Sequence, residues 1–464
     1  MNGRARNAES ALRAGDPAGL SAVVLGLGRF GGGSAAARWL ALRGARVVGT
    51  DLRTASELPE ACAALADLEV ELVLGGHDGV DLENADLVVV NPAVPPTAPP
   101  VERARKGGAL VTSEIELFLA SAPCRLVGVT GTQGKSSTVS FTAQLLEAAG
   151  QRTFVGGNLG GSLLDRMDTL SANDVAVLEL SSYQLEGLNR PPIVRRPFEA
   201  VAVTNVLADH LERHGDLASY TAAKARILEL LAPDGLAVLP DGPGPASAWT
   251  AARAERFDAG PGDAAWSART GLPPFQAPNL RAALALAGAV LGDPARLAAA
   301  RASATFAPPP HRCERLADLA GATVIDNGVS TTPDSTAAAL EGLAGPVVLV
   351  VGGLLKDLDL APLLRAAAPS VRAAVCFGSS SRTLAAALAG AGVPADAIED
   401  LDAAVERAVE RAVADLRAGE VLLFSPAAAS FDTHANFRER ALAFRRALER
   451  ARAASEEGRG AVSS

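Results

Sequence analysis

The sequence predicts an α/β protein of three domains: a Rossmann-like N-terminal domain, a central phosphate-loop ATPase-type domain with a parallel sheet, and a Rossmann-like C-terminal domain. Three observations carry that expectation. Short apolar runs alternate with alanine-rich helical runs from end to end, as parallel layers joined by right-handed crossovers require. Two glycine turns, Gly26-Leu27-Gly28-Arg29-Phe30-Gly31 and Gly131-Thr132-Gln133-Gly134, each follow an apolar run directly. At 464 residues the chain is long enough for about three cores of ordinary size.

The first domain is expected over 21–121, with strands Ala22–Leu25, Val47–Thr50 and Leu87–Val90 and a proline-rich loop, Asn91 to Pro96, at a strand's carboxyl end, where α/β folds bind ligands. The second, 122–309, has strands Leu126–Thr130, Val175–Leu180, Val201–Thr204 and Leu236–Leu239 and fades into proline and glycine between 240 and 275. The third, 310–453, has strands Thr323–Ile325, Val347–Val351, Ala373–Phe377 and Val421–Phe424. Residues 1–20 mix Arg4, Arg6 and Arg13 with Glu9 and Asp16 and lack the apolar core of a signal peptide, so a disordered extension is expected there, and a disordered tail over 454–464.

Bulk chemistry narrows the partners. A net charge of −9 supplies no basic field for nucleic acid, so small molecules are expected. Cys62, Cys124, Cys313 and Cys376 are scattered, with neither zinc spacing nor a dense disulfide pattern, which suits a reducing cytoplasm. Val347–Leu355, among the longest apolar stretches, falls well short of the roughly 20 residues that span a bilayer, so no membrane insertion is expected.

The central turn ends in Lys135-Ser136-Ser137 and opens a helix. Turn amides and the helix's positive end can face phosphates, Lys135 can add a point charge and the Ser136 hydroxyl can ligate magnesium. Val129 stands where the strict phosphate-loop pattern has its first glycine. Glu179, at the end of an apolar strand, can hold the same magnesium. Asp209-His210, with Glu212 and His214 close by, reads as a site after the strand Val201–Thr204. Lys224 lies on an expected helix, and as an ammonium it repels a metal. In the first domain, Asp51 follows Gly31 at dinucleotide-fold spacing, which suits NAD and another nucleotide diphosphate equally.

The order Thr-Gly-Thr-Gln-Gly-Lys-Ser, Glu179, Asn205-x-x-x-Asp-His-Leu-x-x-His-Gly, Tyr220-x-x-Ala-Lys224 and His311-Arg312 resembles the Mur ligase family of peptidoglycan synthesis, over nearly the whole chain. Asp51-Leu52-Arg53, Gly157-Asn158-Leu159-Gly160, the segment Leu178 to Leu185 and the segment Ser425 to Asp432 are similar to its glutamate-adding branch. The resemblance implies an ATP-dependent amide ligase that adds glutamate, D-glutamate favoured, to UDP-N-acetylmuramoyl-L-alanine through an acyl phosphate, as a cytoplasmic monomer in cell-wall synthesis. It implies that Gly28, Arg29, Phe30, Gly31, Asp51 and Arg53 hold the UDP moiety, with Asn158 at the muramoyl-alanine end. ATP would be held by Gly131, Thr132, Gly134, Lys135, Ser136, Ser137, Asn279 beneath the adenine and Arg312, with His311 also contacting nucleotide. One magnesium falls to Ser136 and Glu179, and a second to His210 and Lys224 as its CO2-derived carbamate, an anionic oxygen ligand. Lys135, Glu179, His210 and Lys224 form the catalytic set, and Thr331, Lys356, Ser430 and Phe437 the glutamate pocket. Domain closure would then bring glutamate to the central site and exclude water.

The chain departs from the family pattern in places. Asn327 replaces an acid and Val329 a lysine in Asp326-Asn327-Gly328-Val329, which bears on nucleotide contacts and on the handedness of glutamate. Phe275-Gln276-Ala277-Pro278-Asn279 keeps only the last Asn of the family's His-Asn-x-x-Asn. The alternatives are an L-glutamate-adding variant, a folylpolyglutamate synthase-like relative and a nucleotide-binding homologue with altered catalysis.

Overall fold

The computed structural model describes residues 3–462 other than Ala344, Lys356 and Asp357. Its strands form three sheets and its chain two compact units, Met1–Ala259 with Pro278–Thr305 and Gly260–Ala277 with Phe306–Ser464.

The first unit holds two sheets. One comprises β1 (Ser21–Leu25), β2 (Arg46–Asp51), β3 (Val70–Leu74), β4 (Leu87–Val90) and β5 (Leu110–Thr112), in the order β3-β2-β1-β4-β5, all parallel. The other comprises β6 (Arg125–Thr130), β7 (Thr153–Gly157), β8 (Val175–Glu179), β9 (Phe198–Val203), β10 (Leu231–Pro240) and β11 (Ala254–Phe257), in the order β11-β10-β9-β6-β8-β7, again all parallel. Continuous burial of β6, β8 and β9 explains their uninterrupted apolar sequence. Register then fixes the site: Val129 pairs with Glu179 and Thr130 with Val203, so the turn after β6 lies between the carboxyl ends of β8 and β9, where the strand order reverses. The helix Glu114–Ser121 buries Leu117, Phe118 and Leu119 in a core shared by both sheets.

The second unit holds β12 (Glu314–Leu319), β13 (Ala322–Asp326), β14 (Val347–Gly352), β15 (Val371–Phe377), β16 (Ala395–Ala397) and β17 (Val421–Phe424), in the order β12-β13-β17-β14-β15-β16. Only β12 is antiparallel. Both faces of the sheet are covered, and on one of them Phe424 stacks on Phe444 of the last helix at 4.4 Å.

Three sequence expectations are corrected. Residues 3–14 form a helix rather than a disordered extension, because Ala5, Ala8 and Leu12 make an apolar stripe at helical spacing that packs into the shared core. Arg13 donates to the Val194 carbonyl at 2.5 Å and Ser121 to that of Leu12 at 2.8 Å. The last helix, Phe437–Val462, runs through the expected tail, since no proline interrupts its Arg-, Ala- and Glu-rich sequence. Gly260–Ala277 belongs to the second unit, where Phe275 lies beside Gly342. The strands not anticipated, β3, β5, β7, β11, β12 and β16, are short or lie at sheet edges.

Leu12 is fully buried, so Leu12→Ala should cost about 2–4 kcal/mol in the first unit, read by denaturant unfolding. An unchanged midpoint would show that the N-terminal helix contributes nothing.

Candidate functional site

The turn after β6 is built for close backbone approach. Gly131 has φ +147° and a Cβ there would lie 1.9 Å from Thr204 Oγ1; one at Gly134, φ +82°, would lie 2.2 Å from Asn279 Oδ1. Asn205 braces the turn, its Oδ1 accepting from the Thr132 and Gln133 amides at 3.2 and 2.9 Å. Thr204 Oγ1 donates to the Gln133 carbonyl at 2.5 Å. The helix Lys135–Ala148 starts at once, with its N-terminal turn directed at the loop.

Two lysines converge on one oxygen. Lys135 Nζ donates to the Gly131 and Thr132 carbonyls at 3.1 and 2.9 Å, and Lys224 Nζ, on the helix Leu217–Ala225, donates to the same Gly131 carbonyl at 2.7 Å. Lys224 is 1% exposed, with its nitrogen 4.5 Å from the Tyr220 ring centroid. Burial, and then the Lys135 charge, push its ammonium down to about 6. Both effects favour the neutral amine over the ammonium at Lys224. Burial also pushes the Tyr220 phenol up to about 12, and its OH meets Thr132 Oγ1 at 3.1 Å.

Glu179 is 2% exposed, and both its oxygens are engaged: Ser136 Oγ donates to Oε2 at 2.5 Å and Asn158 Nδ2 to Oε1 at 2.9 Å. Ser136 and Glu179 thus present two hard oxygen donors side by side, which suits magnesium. His210, in a left-handed conformation at φ 52°, is half exposed, with its Nδ1 3.4 Å from the Tyr183 hydroxyl. Asp209 and Glu212 oxygens lie 3.6 Å from its ring nitrogens. His214 is the structural histidine of the pair: its side chain is buried against Ser182, and burial lowers its basicity. Pro92, Lys135, Asn158, His210 and Lys224 line one cleft of about 270 Å³, so the loop after β4 reaches the central turn.

Asn279 is buried against Gly134 of the turn. Asn205, Tyr183 and Tyr220 were not singled out as site residues. Asn205 directly follows a strand end, a usable signal, but its amide acts across some 70 residues of sequence.

In the first sheet, Arg29 and Phe30 are exposed and Gly31 caps the helix Gly32–Leu42. Asp51 is buried: it accepts from the Gly28 amide at 3.0 Å and from the Arg53 amide at 3.0 Å. Its carboxylate shapes the turn.

The second unit carries the remaining candidates. Arg440 is fully buried, donating to the Ala428 and Ser330 carbonyls at 2.8 and 3.1 Å and reaching those of Gly352 and Gly328 at 3.4 Å. It ties together the loops that carry Thr331 and Ser430, and burial lowers it to about 10. Thr331 is exposed, Ser430 buried and Phe437 half-buried; Lys356 lies outside the described residues. Asn327 is buried with its Nδ2 donating to Ser425 Oγ at 3.0 Å, in a neutral network with Thr336 and Ser330. Val329 is half-buried, and its amide bonds the His311 carbonyl at 3.3 Å. His311 Nδ1 meets Asp326 at 2.7 Å, and Arg445 lies on the same carboxylate at 2.8 Å. Arg312 follows His311 in the same unit.

These features define an α/β protein of the phosphate-loop class with a buried lysine and a carboxylate at the turn. Comparison with known proteins makes this specific. Residues 20–113 match the Mur ligase MurD-like N-terminal domain, 129–258 the Mur ligase middle domain and 311–428 the Mur ligase glutamate ligase domain. The chain belongs to the Mur ligase family. It is 38% identical to the UDP-N-acetylmuramoylalanine--D-glutamate ligase of Anaeromyxobacter dehalogenans over 94% of this chain and 98% of that one. Identity to the ligase of the same name from Roseiflexus is 34%, over 93% and 99%, and to that from Thermus thermophilus 37%, over 92% and 96%. The fold is similar to UDP-N-acetylmuramate-alanine ligase from Thermotoga maritima, with TM-score 0.57 at 19% identity, covering 94% of this chain and all of that one. It is also similar to the MurF ligase of Thermotoga maritima solved with ADP, with TM-score 0.54 at 17% identity, over 87% and 95%.

Because Lys224 is depressed in the folded state, the unfolded chain binds more protons above about pH 6, and this group's contribution to stability rises with pH. In CO2-free buffer, unfolding from about pH 7 to 9 should show a shallower pH dependence in Lys224→Met than in the native chain. Identical slopes would mean that Lys224 is an ordinary ammonium.

Proposed function

We propose that the chain is an ATP-dependent ligase that joins D-glutamate to the alanine carboxylate of UDP-N-acetylmuramoyl-L-alanine. The observation that carries this reading is the convergence of Lys135, Lys224 and the Ser136–Glu179–Asn158 chain on one turn. It is supported by the near full-length relatives that bear that ligase's name.

In this reading the turn amides, Gly134 and the first turn of the following helix cradle the ATP phosphates, while Lys135 leaves the Gly131 and Thr132 carbonyls for phosphate oxygens. Ser136 and Glu179 would hold one magnesium ion, and His210 with carbamylated Lys224 a second. A neutral amine is the form that reacts with CO2, so the depressed basicity of Lys224 favours the carbamate. Bound magnesium supplies charge neutralisation where the phosphate and carboxylate anions meet.

The alanine carboxylate oxygen attacks the γ-phosphorus and ADP departs, leaving an acyl phosphate. The glutamate amine then attacks the acyl carbon, the amide forms, phosphate leaves and the amine loses a proton. Asn158 orients Glu179 and faces the acceptor end. The turn Gly28 to Gly31, with Arg53, would take the UDP moiety, and Asp51 sets that turn's shape. Thr331, Ser430 and Phe437, with Lys356, are proposed for glutamate, and Arg312 for nucleotide. D-glutamate is the favoured enantiomer because the near full-length relatives bear the name of the D-glutamate ligase. Among the described residues no helix is long and apolar enough to cross a membrane.

With ATP, magnesium and UDP-N-acetylmuramoyl-L-alanine, phosphate release should require D-glutamate. Lys224→Ala should lower turnover roughly 100-fold or more. Release with L-glutamate alone would transfer the assignment to the L-adding variant, and release with neither would refute the ligase.

A further inference from the structure

Glu114 is a titratable group at the junction of the two loops assigned to the acceptor. It opens the helix Glu114–Ser121, and its side chain lies against the glycine turn: a Cβ placed on Gly32 would sit 3.8 Å from Glu114 Cγ. Gly31 and Gly32 begin the helix Gly32–Leu42, whose N-terminal turn is proposed to take the acceptor diphosphate. On its other side the carboxyl is hydrogen-bonded to the Ser162 hydroxyl, just beyond the Asn158 loop that reaches Glu179.

The charges around it are one-sided. Among the described residues Glu114 has no ion pair within 4.0 Å, and the charged group that acts on it is another acid, Asp165 of the 3-10 helix Leu163–Thr169. Neither Gly32-Gly33-Ser34-Ala35 nor Asn158-Leu159-Gly160-Gly161-Ser162 contains a titratable residue, and Arg29 of the turn is exposed. Arg43, at the far end of the helix Gly32–Leu42, is paired with Asp168, and Glu116 of Glu114's own helix is spent on the Asn189 and Ile193 amides. Desolvation moves the Glu114 carboxyl up to about 7 before any ligand arrives.

We infer that Glu114 is the proton-uptake site of acceptor binding: it must hold a proton when the diphosphate occupies the adjoining glycine turn, so the acceptor binds together with a proton. The physical reason is like-charge repulsion, since a diphosphate beside this carboxyl favours its neutral form. The bound state then holds the proton more tightly than the free state, and affinity falls as pH rises above 7. Glu114 acts here as a positioning residue, because as an acid it can still bond Ser162 while adding no charge to the cradle.

This inference rests on the ligase reading, and the test separates the two. UDP-N-acetylmuramoyl-L-alanine is a suitable probe, since its diphosphate diester and carboxylate stay ionised near neutrality. Calorimetric titration of the full chain at about pH 8 in buffers of different ionisation enthalpy should show uptake of more than about half a proton per acceptor. Glu114→Gln, a neutral isostere that preserves the Ser162 contact, should bind at least as tightly, take up no proton and show a flat affinity profile from about pH 6.5 to 8.5. Ser162→Ala removes a hydrogen bond that favours the ionised carboxyl, so uptake should persist but move to higher pH, which distinguishes proton linkage from loss of a structural contact. Binding without uptake, or undiminished uptake in Glu114→Gln, would overturn the inference alone. No binding of this probe to the native chain would overturn the ligase reading, and the inference with it.

Discussion

The carbonyl of Gly131 is the interaction on which the rest of the site depends. It accepts from Lys135 and from Lys224, at 3.1 and 2.7 Å, and no backbone with a side chain at that position could reach Thr204 as closely. Two ammonium groups on one carbonyl in a buried setting would repel strongly. Burial, and then that repulsion, lower the basicity of Lys224 and favour the neutral amine, the state in which an amine has nucleophilic chemistry available. The turn proposed to cradle phosphate thus lies against the residue proposed to become a metal ligand.

That turn is held by register more than by its own sequence. Parallel pairing of β6 with β8 and β9 delivers Glu179 to one side and Thr204-Asn205 to the other. Asn205 then takes up two turn amides, and Asn279 packs beneath Gly134. The site is preorganised by rigid elements, which is what electrostatic stabilisation of meeting anions requires. In the second unit a comparable task falls to Arg440, whose guanidinium fastens several loop carbonyls at the carboxyl edge of the sheet.

Much of this was legible in the sequence because its signals are local. The two glycine turns, the helix start at Lys135, Glu179 at a strand end and the apolar runs of β6, β8 and β9 are each written within a few residues. Contacts between distant segments were not legible. Asp51 has the spacing of a sugar-binding acid, but its burial against the Gly28 amide is a tertiary fact. Asn327 looked like a lost charge, whereas the fold places it among Ser425, Thr336 and Ser330 in a neutral network. The N-terminal helix was missed because Arg6, Asn7, Glu9 and Ser10, between Ala5, Ala8 and Leu12, mask a stripe that only its packing partner reveals.

The chemistry proposed for this turn is activation of a carboxylate by phosphorylation. Its most direct test is to label the alanine carboxylate of UDP-N-acetylmuramoyl-L-alanine with oxygen-18, let the chain turn over with ATP and D-glutamate, and analyse the released phosphate by mass. An acyl phosphate transfers one labelled oxygen to each phosphate. Unlabelled phosphate, with the oxygen lost on amide formation appearing in water instead, would contradict that chemistry.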